Sequence, residues 1–135
     1  MLEENQFIER VLPGAILRKL TADEMDANRA PFPDPASRKP VLAWPRQLPI
    51  AGEPKDIVAI IEEGTRWLAE HPMPKLLLTF DPGVLITRRA ARWCRDRMRN
   101  LETRNIGPGL HYVQEDHPQA IAEAVKDWRR RLVTR

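Results

Sequence analysis

Lys75-Leu76-Leu77-Leu78-Thr79-Phe80-Asp81-Pro82-Gly83 decides the fold. Lys75 to Phe80 is apolar without alternation and of strand length. That pattern belongs to a strand covered on both faces, as in a parallel sheet. Asp81-Pro82-Gly83 is turn chemistry and ends the strand. Upstream, Pro54 suits the first turn of a helix. Ile57, Ile60, Ile61, Gly64 and Leu68 recur at helical spacing to about Glu70, where Pro72 and Pro74 stop the helix. Downstream, a helix is expected from about Thr87 to Met98. A second strand is expected over Leu101 to Ile106, and Gly107-Pro108-Gly109 reads as a loop leading to His111. Asp116 or His117 is expected to cap a last helix, with Pro118 in its first turn and Ile121, Val125, Trp128 and Leu132 as its apolar stripe. Helix, strand, helix, strand, helix is α/β order with parallel strands. Two strands do not make a stable sheet, so the pattern reads as one side of a larger one.

The first half is less regular. Phe7, Ile8, Val11, Leu12, Ile16, Leu17 and Leu20 predict a short helix, a break at Pro13-Gly14 and a second turn. Thr21-Ala22-Asp23-Glu24 is a capping box that starts a helix near Ala22 and carries it to about Asn28. Residues 30–53 read as loop. Of the 13 prolines in the chain, most fall in this half among apolar residues, which indicates irregular packed chain rather than a free linker.

Composition bounds the function. At 135 residues the chain holds one domain at most. No apolar run approaches the ~20 residues of a membrane span, and the start lacks a signal peptide's basic and apolar regions. One cysteine, Cys94, excludes an internal disulfide, and a reducing cytoplasm is the expected compartment. The net charge of +3 reads as basicity spread over helix faces. The arginines at 88, 89, 92, 95, 97, 99 and 129–131 come without a nucleic-acid-binding motif, so neither nucleic acid nor membrane is an expected partner. Nothing points to a metal or a cofactor.

Chemistry enters at His111. A histidine in a glycine-rich loop, after a late strand and before the last helix, sits where an imidazole is presented at a strand end. In α/β-hydrolases the catalytic groups come in the order nucleophile, acid, histidine. Gly109-Leu110-His111-Tyr112-Val113-Gln114-Glu115-Asp116 resembles the haloalkane dehalogenase sequence around the catalytic histidine. Phe7-Ile8-Glu9 with Val11-Leu12-Pro13, then Leu20-Thr21 through Glu24-Met25, and Ala30-Pro31-Phe32 are similar to that family's cap. Trp44-Pro45-Arg46-Gln47-Leu48-Pro49-Ile50-Ala51-Gly52 resembles its return from cap to core. Pro74-Lys75-Leu76-Leu77-Leu78 and Pro82-Gly83-Val84-Leu85 resemble its penultimate strand and the following loop. The segments run in family order along essentially the whole chain.

The resemblance implies the C-terminal part of an α/β-hydrolase fold: a partial helical cap over residues 1–52, then the last two parallel strands and their helices over 53–135. It implies a hydrolase that turns haloalkanes to alcohol and halide through an alkyl-enzyme ester, with a small apolar substrate and water as partners. His111 matches the base that hydrolyses the ester. Phe7, Val11, Ala15 and Ile16 match the cap side of the pocket, and Pro45, Leu48, Val84 and Leu85 the core side. The nucleophile and the halide-stabilising pair match nothing in this chain, so the chain alone is expected to be inactive. The place of one subfamily's acid falls on Gly83, not on Asp81. The sequence more resembles the subfamily whose acid follows an earlier strand. His71 and His117 read as helix-end and helix-start residues, Glu115 and Asp116 as serving the loop and last helix, and Cys94 as structural. Alternatives left open are a related α/β-hydrolase, luciferase-like or epoxide hydrolase, and a non-catalytic module that self-associates.

Overall fold

The computed structural model describes residues 2–133. They fall into two compact units, one of residues 2–15 and 19–65, the other of residues 16–18 and 66–133, the division falling within α4 (Lys55–Glu70).

In the first unit a π-helical turn (Phe7–Val11) leads directly into α1 (Leu12–Gly14). The expected break at Pro13 is absent. Pro13 sits in the first turn of α1, where its missing N–H costs nothing, and the chain leaves the helix only at Ala15. α2 (Ala22–Arg29) starts as expected: Thr21 Oγ1 accepts from Glu24 N, and the Glu24 carboxylate accepts from Thr21 N. Residues 30–53, expected as loop, contain α3 (Lys39–Ala43) and a 3₁₀ turn (Trp44–Gln47). Their prolines, Pro40 and Pro45, lie at the starts of these elements and are therefore compatible with them. The Arg38 guanidinium binds this unit together, donating to the carbonyls of Leu2 at 2.7 Å, Glu3 at 3.0 Å, Phe32 at 3.0 Å and Pro33 at 3.1 Å.

The second unit is built on β1 (Lys75–Pro82) and β2 (Leu101–Gly109), which pair in parallel. α5 (Arg88–Arg97) crosses between them, with Thr87 Oγ1 accepting from Ala90 N at its start. α6 (Val113–Asp116) and α7 (Pro118–Val133) come after β2. α5 and α7 pack on the strands and bury Ala91 and Ala124. β1 shows no alternation of exposure, as its unbroken apolar run predicts.

β2 is longer than expected. Thr79 pairs with Asn105 but Phe80 with Gly107, so Ile106 is an extra residue, a β-bulge. Pairing then resumes through Asp81 with Pro108 and Pro82 with Gly109, so Gly107-Pro108-Gly109 is strand rather than loop. A proline is tolerated there because the strand lies at a sheet edge. At the other end, the buried Lys75 ammonium donates to the carbonyls of His71 (2.6 Å), Met73 (3.0 Å) and Arg99 (2.7 Å), which uses its three donors. The α7 stripe needs one correction. Ile121, Trp128 and Leu132 are partly covered, but Val125 is exposed beside Lys126 and Arg129.

Two glycine substitutions test this packing. At Gly109 a Cβ would lie 2.8 Å from Val113 Cγ1 and 2.9 Å from Phe80 Cβ. Gly109→Ala should therefore destabilise by about 1–3 kcal/mol. Gly64, inside α4, has nothing within 4 Å of its Cβ position. Gly64→Ala should stabilise by about 0.5–1 kcal/mol through helix propensity. Denaturant titrations giving both the same sign would contradict the packing described.

Candidate active site

His111 occupies the short connection from β2 to α6, at the end of the strands where the parallel pair finishes. Backbone closes this end: Gly83 N donates to Gly109 O at 3.1 Å. A pocket of about 260 Å³ opens here. Its walls are Leu78 and Phe80 of β1, Val84, Leu85 and Ile86 of the loop after β1, and Leu110, His111 and Val113. The lining is apolar except for the imidazole. His111 is exposed, and its ring meets Tyr112 at 4.6 Å between centroids. Burial pushes the Tyr112 phenol above its ordinary pKa.

Residues just past His111 are held by specific bonds. The Asp116 carboxylate accepts from Leu17 N at 3.0 Å and from Arg18 N at 2.8 Å. The Arg18 side chain donates to Glu115 O at 2.7 Å and pairs with the Glu115 carboxylate at 3.1 Å. Glu115 and Asp116 thus fasten Leu17 and Arg18, and of the two expected caps it is His117 that stands directly before α7, its carbonyl accepting from Ile121 N at 3.0 Å. His117 Nε2 lies 2.6 Å from Pro108 O, and its ring stacks on Phe80 at 5.9 Å between centroids. His71 ends α4 as expected, stacked on Trp67 and accepting from Met73 N through Nδ1.

Two groups of the expected pocket residues emerge, each within its own unit. Val84 and Leu85 share the His111 pocket. Phe7 and Pro45 share an apolar pocket of about 270 Å³ with Phe32, Val41 and Trp44. Ile16 is buried in the second unit, Ala15 is half-buried, and Val11 and Leu48 are exposed.

Neither candidate position for the acid after β1 is suited to the role. Gly83 has φ +67, and a Cβ there would lie 2.6 Å from Ile86 O, so this backbone admits no aspartate. Asp81 is bound by Arg88, whose Nε donates to it at 3.0 Å and whose Nη2 makes a second bond. That guanidinium holds the Asp81 carboxyl below the ordinary aspartate range. Sequence reading missed Arg88 because the pairing depends on the path of the loop between Asp81 and α5. Cys94 is free and half-buried. Among the described residues no cluster of three or more His, Cys, Asp or Glu is placed to hold a metal, and no helix is long and apolar enough to cross a membrane.

A parallel pair joined by a helix, with a histidine on the turn leaving the last strand and a closing helix after it, defines the closing portion of an α/β-hydrolase. No family model matches the chain. A haloalkane dehalogenase of Mesorhizobium japonicum is 50% identical over 128 residues, which are 95% of this chain and 41% of that protein. One from Sphingobium indicum is 45% identical over 98% of this chain and 44% of that protein. Among solved structures, an ancestral haloalkane dehalogenase matches with TM-score 0.94 and 48% identity over 99% of this chain and 47% of its own. The enzyme DbeA from Bradyrhizobium elkani matches with TM-score 0.91 and 45% identity over 94% of this chain and 44% of its own. Over nearly its whole length the chain is similar to the C-terminal portion of haloalkane dehalogenases, as the sequence resemblance implied. It spans about two-fifths of the length of the curated relatives it matches.

The Asp81–Arg88 pair yields a pH test. A carboxyl depressed in the folded state contributes stability above its unfolded value, about 4, and loses it as pH falls through the folded value. Arg88→Ala should move the Asp81 titration up to the ordinary range and remove that acid-side dependence. Carboxyl-carbon NMR showing an unmoved Asp81 titration would contradict the assignment.

Proposed function

We propose that this chain supplies the base-bearing C-terminal portion of a haloalkane dehalogenase-type hydrolase. In this reading residues 1–52 are cap and cap-to-core return, and residues 53–135 are the last part of the core. The observation that carries it is the placement of His111 on an apolar pocket at the end of the β1–β2 pair. An apolar slot suits a halogenated alkane, which offers little to hydrogen-bond. The carboxylate that displaces halide lies in a portion that this chain does not match. His111 acts in the second step. It takes a proton from water as the water oxygen bonds to the ester carbonyl carbon, and collapse releases the alcohol and frees the carboxylate. Phe7, Val11, Ala15, Ile16, Pro45, Leu48, Val84 and Leu85 are the residues assigned to the substrate pocket. A reducing cytoplasm is the compartment that fits this reading.

Self-association is a second reading, favoured by the exposure of Ile60, Ile61, Trp67 and Leu68 on the apolar side of α4. Sedimentation of the purified chain should then show species heavier than the 15.6 kDa monomer. A purely monomeric boundary at high micromolar concentration would exclude it.

The purified chain should release no halide from haloalkanes, because a base without its nucleophile retains little of the reaction. Halide release above background that His111→Ala abolishes would contradict this. Supplied with the N-terminal three-fifths of a relative, the chain should restore turnover. His111→Phe in that pair should give one burst of halide and then stall, with the alkyl adduct visible by mass spectrometry. Sustained turnover without adduct would place the base elsewhere.

A further inference from the structure

His111 is carried by a closed loop. The chain leaves β2 at Gly109, turns through Leu110, His111 and Tyr112, forms α6 and reaches His117. Two bonds return from His117. Its backbone N–H donates to Val113 O at 2.9 Å, closing α6. Its ring Nε2 lies 2.6 Å from Pro108 O, nine residues back, on the strand just before the loop. A carbonyl oxygen only accepts, so Nε2 must carry the proton. The imidazole also stacks on Phe80, and Phe80 in turn crowds Gly109 from the neighbouring strand. Pro108 has no N–H of its own, so this link to its carbonyl is how the ring fastens the last turn of β2 to the start of α7.

We propose that His117 is a positioning residue: it clasps the base of the His111 loop by a ring N–H bond to Pro108 O and so fixes where the His111 imidazole stands. The proposal rests on reading His111 as the base, but the clasp itself needs no dehalogenase activity to be observed. Glu115 and Asp116 tie the far side of α6 to Leu17 and Arg18, and the His117 ring ties the loop back to the strand it leaves.

Histidine-selective ¹⁵N NMR of the full chain tests it in two ways. In the wild type, His117 should be the Nε2–H tautomer, with a slowly exchanging ring proton; an Nδ1–H tautomer overturns the clasp without any variant. Backbone relaxation then compares His117→Phe, which keeps the stacking, with His117→Gln, whose amide N–H takes the place of Nε2–H. His117→Phe should drop the order parameters of His111 and Tyr112 from about 0.85 to below about 0.6. His117→Gln should restore them, and Ala91 and Ala124 should stay rigid in both. An unchanged loop in His117→Phe overturns the proposal. So does a failure of Gln to restore it, or loosening that spreads equally to α5 and α7. If His117→Phe does not fold, the wild-type tautomer and the Gln variant decide. Loss of the dehalogenase reading would leave these results standing, and a mobile loop in an active pair would sink the clasp alone.

Discussion

The parallel pairing of β1 with β2 is the constraint on which the His111 end of the second unit depends. A parallel pair cannot be closed by a tight turn, so a crossover must carry the chain back, and α5 does so. The pair is locked at both ends by groups outside the ladder. At its start the buried Lys75 ammonium satisfies three carbonyls, two from the segment just before β1 and one from the segment just before β2. An unpaired buried ammonium would cost several kcal/mol, so these bonds are needed for the strand to begin there. At its finish Gly83 N reaches Gly109 O, and the loops leaving both strands are thereby held side by side.

Between those ends the Ile106 bulge sets the register of the end that carries His111. Inserting one residue shifts the pairing of β2, so that Gly107, Pro108 and Gly109 fall opposite Phe80, Asp81 and Pro82. Phe80 then lies against Gly109, where no side chain fits, and against the His117 ring. His111 is left at the open side of this crowded knot, exposed toward the pocket. The exposed imidazole and the packed base beneath it are two parts of one arrangement: a rigid platform and an accessible tip.

Much of this was legible in the residues. The apolar run from Lys75 identified a two-face strand, Thr87 and the Thr21–Glu24 box fixed helix starts, and the Gly109 to Asp116 segment pointed to His111. What stayed hidden depends on long-range geometry. The bulge is invisible because a one-residue shift is set by the partner strand. The prolines of residues 30–53 suggested loop, whereas Pro40 and Pro45 sit at helix starts. Of the two expected caps of the last helix, His117 stands at its start, while the Asp116 carboxylate is taken by Leu17 and Arg18, which are about a hundred residues away. Arg88 and His117 act on partners seven and nine residues distant through folded loops, and no local pattern marks such pairs.

Hydrogen exchange along the β1–β2 ladder is the most direct measurement of whether the pair carries the second unit. Two strands alone are marginal, and here α5 and α7 pack on them. If the pairing described holds, the amides that face the partner strand, those of Leu77 and Thr79 in β1 and of Glu102 and Arg104 in β2, exchange at least about a hundredfold slower than an unstructured chain, with Ala91 and Ala124 protected to a similar degree. Ladder amides exchanging at unstructured rates, while those in α5 and α7 remain protected, would contradict the account.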